Sequence, residues 1–242
     1  MKNLDFLKSN LIAHRGLHNK DIPENSIKAF KNAIKYNYII ELDVHLLKDN
    51  TIIVFHDDNT KRMTGINKVL KNSTYDEIKD LKLKNTNQKI PTLEETLKTI
   101  NEKVPVIIEL KYDQKTGLLE KELVKILDNY KGKFCIKSFN PLSIRWFKKH
   151  RPNYIRGLLI NYKKKNLFDK INLNKLTRFL CKPDFISCSY KLHNNKTIKK
   201  YMKKKPVLAW TIKNNENFSL YKDKFYNLII DNDEFINKGY YE

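Results

Sequence analysis

The segment Ile39-Ile40-Glu41-Leu42-Asp43-Val44 alternates apolar and acidic residues. A strand turns successive side chains to opposite faces, so Glu41 and Asp43 share one face and Ile40, Leu42 and Val44 the other. Carboxylates side by side in a strand core repel each other and lose hydration. They need a positive partner, unless the strand is simply half exposed. Glu109-Leu110-Lys111 has the same character, with Glu109 and Lys111 opposite Ile108 and Leu110. His14-Arg15 ends one apolar run and His56-Asp57 ends another, while His45 follows Glu41 and Asp43 on their face. Carboxylates without thiols suit a hard cation, Mg²⁺ or Ca²⁺, better than zinc. Arg15 offers a fork and Lys111 a point charge for a phosphate. His14 and His56 offer a base and an acid. Each group also has a plain structural reading. A strand-end histidine hydrogen-bonds, Arg15 pairs with a carboxylate, Glu109 pairs with Lys111, and Asp57 orients a turn. Only convergence makes them a site.

The elements that must position these residues follow from periodicity. Residues 11–14 read as a short buried strand. Ser26 caps a helix whose Ile27, Phe30, Ala33 and Ile34 recur at helical spacing. The Glu41 strand and residues 52–56 form a hairpin around Lys48-Asp49-Asn50. Residues 57–89 are irregular, with one short helix expected over 74–81 from the capping box Thr74-x-x-Glu77. Thr92 and Glu95 repeat that device and open another helix. Strand-like segments at 104–110, 134–138, 154–160, 184–189, 207–212 and 228–231 then alternate with helical ones at 118–130, 142–149, 173–180, 197–204 and 216–224. Such alternation implies a parallel sheet covered by helices. With the hairpin as one unit, about eight units in 242 residues fit a closed (β/α)₈ TIM barrel, an α/β fold whose chemistry sits at the C-terminal strand ends. An open doubly wound sheet would carry a glycine-rich phosphate loop after its first strand, and none is present.

Composition narrows the class further. At 40% hydrophobic, the chain can bury one sizeable core, and we read residues 1–242 as a single domain. The first ten residues are too polar for a signal peptide, and no later run spans a bilayer, so a cytoplasmic protein is expected. Cys135, Cys181 and Cys188 form no Cys-x-x-Cys pair and read as reduced thiols. The net charge of +21 is spread along the chain, with short runs at 163–165 and 203–205. Together with abundant asparagine and isoleucine it reads as compositional drift of an A/T-rich coding sequence, not as a nucleic-acid interface. Weak contact with an anionic membrane stays open.

His14-Arg15-Gly16, Pro23-Glu24-Asn25-Ser26, Glu41-Leu42-Asp43-Val44, Val54-Phe55-His56-Asp57, Glu109-Leu110-Lys111 and Ala209-Trp210-Thr211 resemble, in order, the motifs of the glycerophosphodiester phosphodiesterase family. The resemblance implies a TIM barrel with a small insertion at about 57–90, after the hairpin. It implies a divalent metal and hydrolysis of glycerophosphodiesters to glycerol 3-phosphate and an alcohol. Carried over by motif, His14 and His56 are the catalytic pair, and Glu41, Asp43 and Glu109 the metal ligands. Arg15 and Lys111 contact phosphate, and Trp210 lines the glycerol pocket. Glu24 and Asn25 fall beside the site. Two features depart from the family. Asn37-Tyr38-Ile39-Ile40 stands where a glycine-rich turn is usual, and Asp231-Asn232 where the last strand usually ends Thr-Asp. Two other readings are a lysophospholipase D with an apolar rim at Leu167, Phe168 and Ile171, and a non-catalytic basic binding module.

Overall fold

The computed structural model describes residues 2–112, 115–162 and 167–231. Its strands are β1 (Ile12–Ala13), β2 (Ile39–Leu46), β3 (Ile52–Val54), β4 (Val106–Leu110), β5 (Phe134–Ser138), β6 (Arg156–Ile160), β7 (Phe185–Ser189), β8 (Val207–Ile212) and β9 (Asn227–Ile230). All but β3 pair in parallel, in the order β1-β2-β4-β5-β6-β7-β8-β9, and the β9–β1 pairing closes the ring. The fold is a (β/α)₈ barrel. β2 runs past the ring, and β3 pairs antiparallel with that overhang at Val44, His45 and Leu46. The expected hairpin is this pair.

The helices are α1 (Ile27–Lys35), α2 (Lys61–Thr64), α3 (Leu93–Ile100), α4 (Leu118–Leu127), α5 (Pro141–His150), α6 (Leu167–Ile171), α7 (Lys175–Cys181), α8 (Lys196–Met202) and α9 (Asn215–Tyr221). Their starts are chemically marked. Ser26 Oγ accepts from the Ala29 N–H, and Thr92 and Glu95 complete a capping box. Asn140, Asn174, Asn195 and Asn214 each accept an orphan N–H at the start of α5, α7, α8 and α9. The asparagine-rich composition therefore serves the helix ends.

Strand alternation divides the core. Ile40, Leu42, Val44, Ile108, Ile136 and Leu158 face outward and pack against helices. Ile12, Ile39, Ile107, Cys135, Phe185, Leu208 and Ile229 face inward and form an apolar floor. Gly157 makes that floor possible, because a Cβ there would overlap the Phe185 ring. Above the floor, the inward positions turn polar.

The segment after β3 differs from expectation. Residues 74–81 form turns, not a helix. The Glu77 carboxylate accepts from the Thr74 N–H at 2.7 Å and from its hydroxyl at 3.3 Å, but the Glu77 N–H turns to the Thr74 carbonyl instead of the hydroxyl, so the box does not close. Ile78 alone in that stretch is fully buried, which is too little packing to offset helix nucleation. The segment instead packs Met63, Leu70, Ile78, Leu83 and Ile90 against Leu47, Ile53 and Phe55 of the hairpin region. The helix expected over 173–180 starts at Lys175, behind the Asn174 cap, and α6 precedes it. All three cysteines are free and buried. Burial raises the Cys181 thiol to about 11 and the Cys188 thiol to about 12. No helix among the described residues is long and apolar enough to cross a membrane.

Candidate active site

The C-terminal strand ends carry most of the singled-out residues. β1 leads into His14 and Arg15, β2 supplies Glu41 and Asp43, and β4 supplies Glu109 and leads into Lys111. Asp43 is level with Glu109, and Glu109 with Lys137 of β5. His56 arrives just after β3. Arg15 and Asn25 both adopt left-handed backbone, with φ of 57° and 52°, and the Asn25 N–H donates to the Arg15 carbonyl. Such conformations in non-glycine residues cost energy that the surrounding contacts must supply, and they concentrate at functional sites. Gly16 is left-handed too, at φ 76°, and lies so close to α1 that a Cβ would sit 2.9 Å from that of Ala29.

Carboxylate oxygens of Glu41, Asp43 and Glu109 lie within 4.8 Å of one another, and all three residues are buried. Lys111 Nζ bridges Asp43 Oδ1 at 2.8 Å and Glu109 Oε1 at 2.6 Å. Lys137 Nζ lies 2.8 Å from Glu41 Oε1 and 3.2 Å from Glu109 Oε2. The Arg15 N–H donates to Glu41 Oε2 at 3.0 Å, and its guanidinium donates to Glu24 at 2.7 Å. Asn25 Nδ2 donates to Asp43 Oδ2 at 2.9 Å. Burial alone raises a carboxyl pKa. At Asp43 the charges of Lys111 and Arg15 overcome it and hold the group well below the carboxylate range. At Glu109, burial is outweighed by Lys111 and Lys137, and the pKa falls to about 2. The carboxylates in turn keep both lysines charged against burial.

This cluster leaves polar atoms open. Glu41 Oε1, Asn25 Oδ1 and Arg15 Nε are buried without hydrogen-bond partners among the described residues. The Lys137 contact to Glu41 Oε1 is close enough for an ion pair but not aligned as a hydrogen bond. Arg15 Nε stands 3.4 Å from Asp43 Oδ2, again as an ion pair. The open acceptors and hard-oxygen donor set fit a divalent cation. The open guanidinium N–H fits an anion. Glu41, Asp43 and Glu109 balance Arg15, Lys111 and Lys137 in charge, so a divalent cation would leave an excess for a phosphate to answer.

Both histidines are oriented by carboxylates. His14 Nδ1 lies 2.7 Å from Asp231 Oδ1, and His56 Nδ1 lies 2.6 Å from Asp57 Oδ1. Each carboxylate accepts the Nδ1–H, which leaves Nε2 to exchange a proton. Burial, then the Lys111 charge, lower the His56 pKa. Desolvation at Asp231 is more than offset by His14, His18 and Lys213, so that group stays ionised. His14, Arg15, Asp43, His56, Lys111 and Trp210 line one pocket of about 130 Å³. An adjoining pocket of about 470 Å³ is bounded by His56, Asp57, Lys111, Tyr112 and Phe139. A larger cavity, about 530 Å³, lies at the other end of the barrel beside Tyr130 and Phe134 and holds none of this set.

Seven of the eight candidate residues thus line one pocket, and Glu41 joins them through the carboxylate cluster with Asp43 and Glu109. His45 does not join them. It is buried, with Nε2 3.2 Å from the His56 carbonyl oxygen. Inspection of the sequence missed Lys137, Arg62, His18 and the Asp231–His14 pair. Lys137 had a signal, since it is a lone lysine in the short strand Phe-Cys-Ile-Lys-Ser, on the same face as Cys135. Arg62 donates to both Glu24 and Asp57, and no motif marks it.

Residues 14–232 match the Glycerophosphoryl diester phosphodiesterase family. The chain belongs to this family. It is a phosphoric diester hydrolase. A glycerophosphodiester phosphodiesterase of Caldanaerobacter subterraneus subsp. tengcongensis is 37% identical over 168 residues, which is 63% of this chain and 67% of that protein. An Oleispira antarctica phosphodiesterase, solved in complex with the product sn-glycerol-3-phosphate, superposes with a TM-score of 0.78 at 21% identity, over 93% of this chain and 94% of the other. A glycerophosphodiester phosphodiesterase from Parabacteroides distasonis gives 0.75 at 24% identity, over 92% of each chain. At those identities the superpositions speak for the fold. The two departures from the family pattern also have structural counterparts. Asn37 takes φ 57°, the conformation glycine supplies without strain. Asp231 is the partner of His14, and Asn232 lies outside the described residues.

Proposed function

We propose that this phosphodiesterase hydrolyses glycerophosphodiesters to glycerol 3-phosphate and an alcohol, with Mg²⁺ or Ca²⁺ at Glu41, Asp43 and Glu109. The observation that carries this reading is the pair of carboxylate-backed histidines facing one pocket with the acidic cluster and Arg15. When bound, the cation supplies positive charge against the phosphate and the oxyanion that develops there. Arg15, through its open Nε–H, and Lys111 hold the phosphate oxygens. Trp210, edge-to-face with Phe139 at 5.9 Å, packs against the glycerol carbons. His14 Nε2 takes the proton of the attacking hydroxyl, and His56 Nε2 returns one to the leaving alkoxide. The attacking oxygen is water or the substrate's neighbouring hydroxyl, and a released cyclic phosphate identifies the second route.

The test is release of glycerol 3-phosphate from soluble diesters carrying a panel of head groups. Chelator should abolish turnover, and Mg²⁺ or Ca²⁺ should restore it. Full activity in excess chelator would remove the metal from the mechanism. Tyr112 stacks edge-to-face on Phe168 at 5.2 Å beside the second pocket, and Leu167 is 66% exposed, while Ile171 is partly buried. That apolar edge favours a second reading in which lysophospholipids are cleaved at the same site. Including lysolipids in the panel separates the two.

A further inference from the structure

Helix α7 carries its apolar side chains on the wrong face. Leu176, Phe179 and Leu180 recur at i, i+3 and i+4, the spacing that ordinarily turns a stripe into the core. Here they are 62%, 66% and 40% exposed, while Thr177, Arg178 and Cys181 turn inward. Beside the stripe, α7 and α8 enclose a groove of about 460 Å³ lined by Lys175, Arg178, Phe179, Lys200, Tyr201 and Lys204. The Arg178 guanidinium sits 5.8 Å over the Tyr201 ring, and Lys182 Nζ lies 5.7 Å from the Phe179 ring. Between residues 175 and 205 there are ten lysines and arginines and a single carboxylate, Asp184. Asp184 is already engaged by Lys2 at 2.9 Å.

We propose that this α7–α8 face docks on an anionic lipid bilayer. Exposed Leu and Phe bordered by lysines is the chemistry of interfacial binding, in which apolar side chains enter the acyl boundary and cations meet acidic head groups. A second copy of the chain is a poor occupant, because two such faces bring cations against cations. Nucleic acid satisfies the lysines but leaves Leu176 and Leu180 without partners, since bases stack on rings and guanidinium planes. The surface stands outside the barrel mouth and is independent of the catalytic reading.

The experiment is flotation with vesicles of phosphatidylglycerol and phosphatidylcholine, against phosphatidylcholine alone. The wild type should bind the acidic vesicles and release them as salt rises. Leu176→Ser with Phe179→Ser keeps the net charge and should lower partitioning about tenfold or more. Lys200→Glu with Lys204→Glu should do the same. Lys31→Glu with Lys98→Glu, on α1 and α3, makes an equal change in net charge away from the face and should shift binding no more than about twofold. Circular dichroism melts and cleavage of a soluble diester show that each variant is folded. Equal losses from both charge pairs, or no loss from the apolar pair, would reduce the effect to diffuse net charge and overturn the proposal. So would absence of vesicle binding, or tighter binding to single-stranded RNA lost with the same substitutions.

Discussion

The two histidines differ in surroundings although both are held by a carboxylate at Nδ1. His56 is crowded by burial and by Lys111, and its pKa is lowered, so as an imidazolium it gives up a proton readily. An alkoxide leaving group needs that proton and an aryl oxide hardly does. His56→Ala should therefore lose about 10²–10⁴-fold on a glycerophosphodiester and recover much of it on an aryl phosphodiester, whereas His14→Ala should be equally impaired on both. Recovery in His14→Ala alone would reverse the roles. Arg15 is pinned by Glu24 and leaves Nε open, so in the proposed mechanism it offers a fork and not merely a charge. Arg15→Lys should cost about 2 kcal/mol in kcat/KM. An unchanged kcat/KM would show that the phosphate needs charge alone.

The elements do two jobs, and their side chains divide accordingly. Outward faces of the strands hold the helices, and inward faces build first a floor and then a mouth. Register sets the mouth, because Asp43, Glu109 and Lys137 lie level across β2, β4 and β5. A one-residue slip of β2 would point Glu41 and Asp43 into the helix layer. The floor depends on β6 yielding space to the Phe185 ring at Gly157. Gly157→Ala should overpack it and cost about 1–3 kcal/mol in urea unfolding, with fluorescence or circular dichroism as readout. An unshifted midpoint would mean the ring can move aside.

The whole molecule carries +21 in net charge, yet buries carboxylates that must stay ionised. Glu24 illustrates the balance. Burial raises its pKa, but Arg62 and Arg15 bring it from the ordinary 4.5 down to about 2. Asp43, Asp57, Glu109 and Asp231 are depressed likewise. A group whose folded pKa lies below its unfolded value contributes fully above the unfolded value and is lost as pH falls through the folded one. His56, held below its ordinary 6.5, acts in the same direction at higher pH. Thermal stability should thus decline below pH 6.5 and fall steeply between 4.5 and about 2. Each excess proton on the unfolded chain contributes about 1.4 kcal/mol per pH unit. Glu24→Gln should make the acid limb shallower. A melting temperature independent of pH over that range would contradict the ion-pair network.

The sequence alone determined the barrel, because strand and helix periodicities are local and the alternation of the units leaves few topologies. It also marked residues that cluster at the mouth, since charged residues interrupting apolar strands at Glu41, Asp43, Glu109 and Lys111 are conspicuous against their neighbours. The capping box at Thr92 formed as written, while the same letters at Thr74 did not, because only Ile78 of that stretch gains burial. Partnership was decided by tertiary structure. Asp231 meets His14 across 217 positions, and Lys137 meets Glu41 across two strand pairings. His45 carries the same side chain as His56, yet sits within the hairpin with its ring against the His56 carbonyl and does not line the pocket. The outward stripe of α7 reads in sequence as ordinary helical spacing. Its exposure appears only when the barrel sets which side of that helix faces the strands. Spacing fixes which side chains share a face, and closure of the sheet fixes what each face meets.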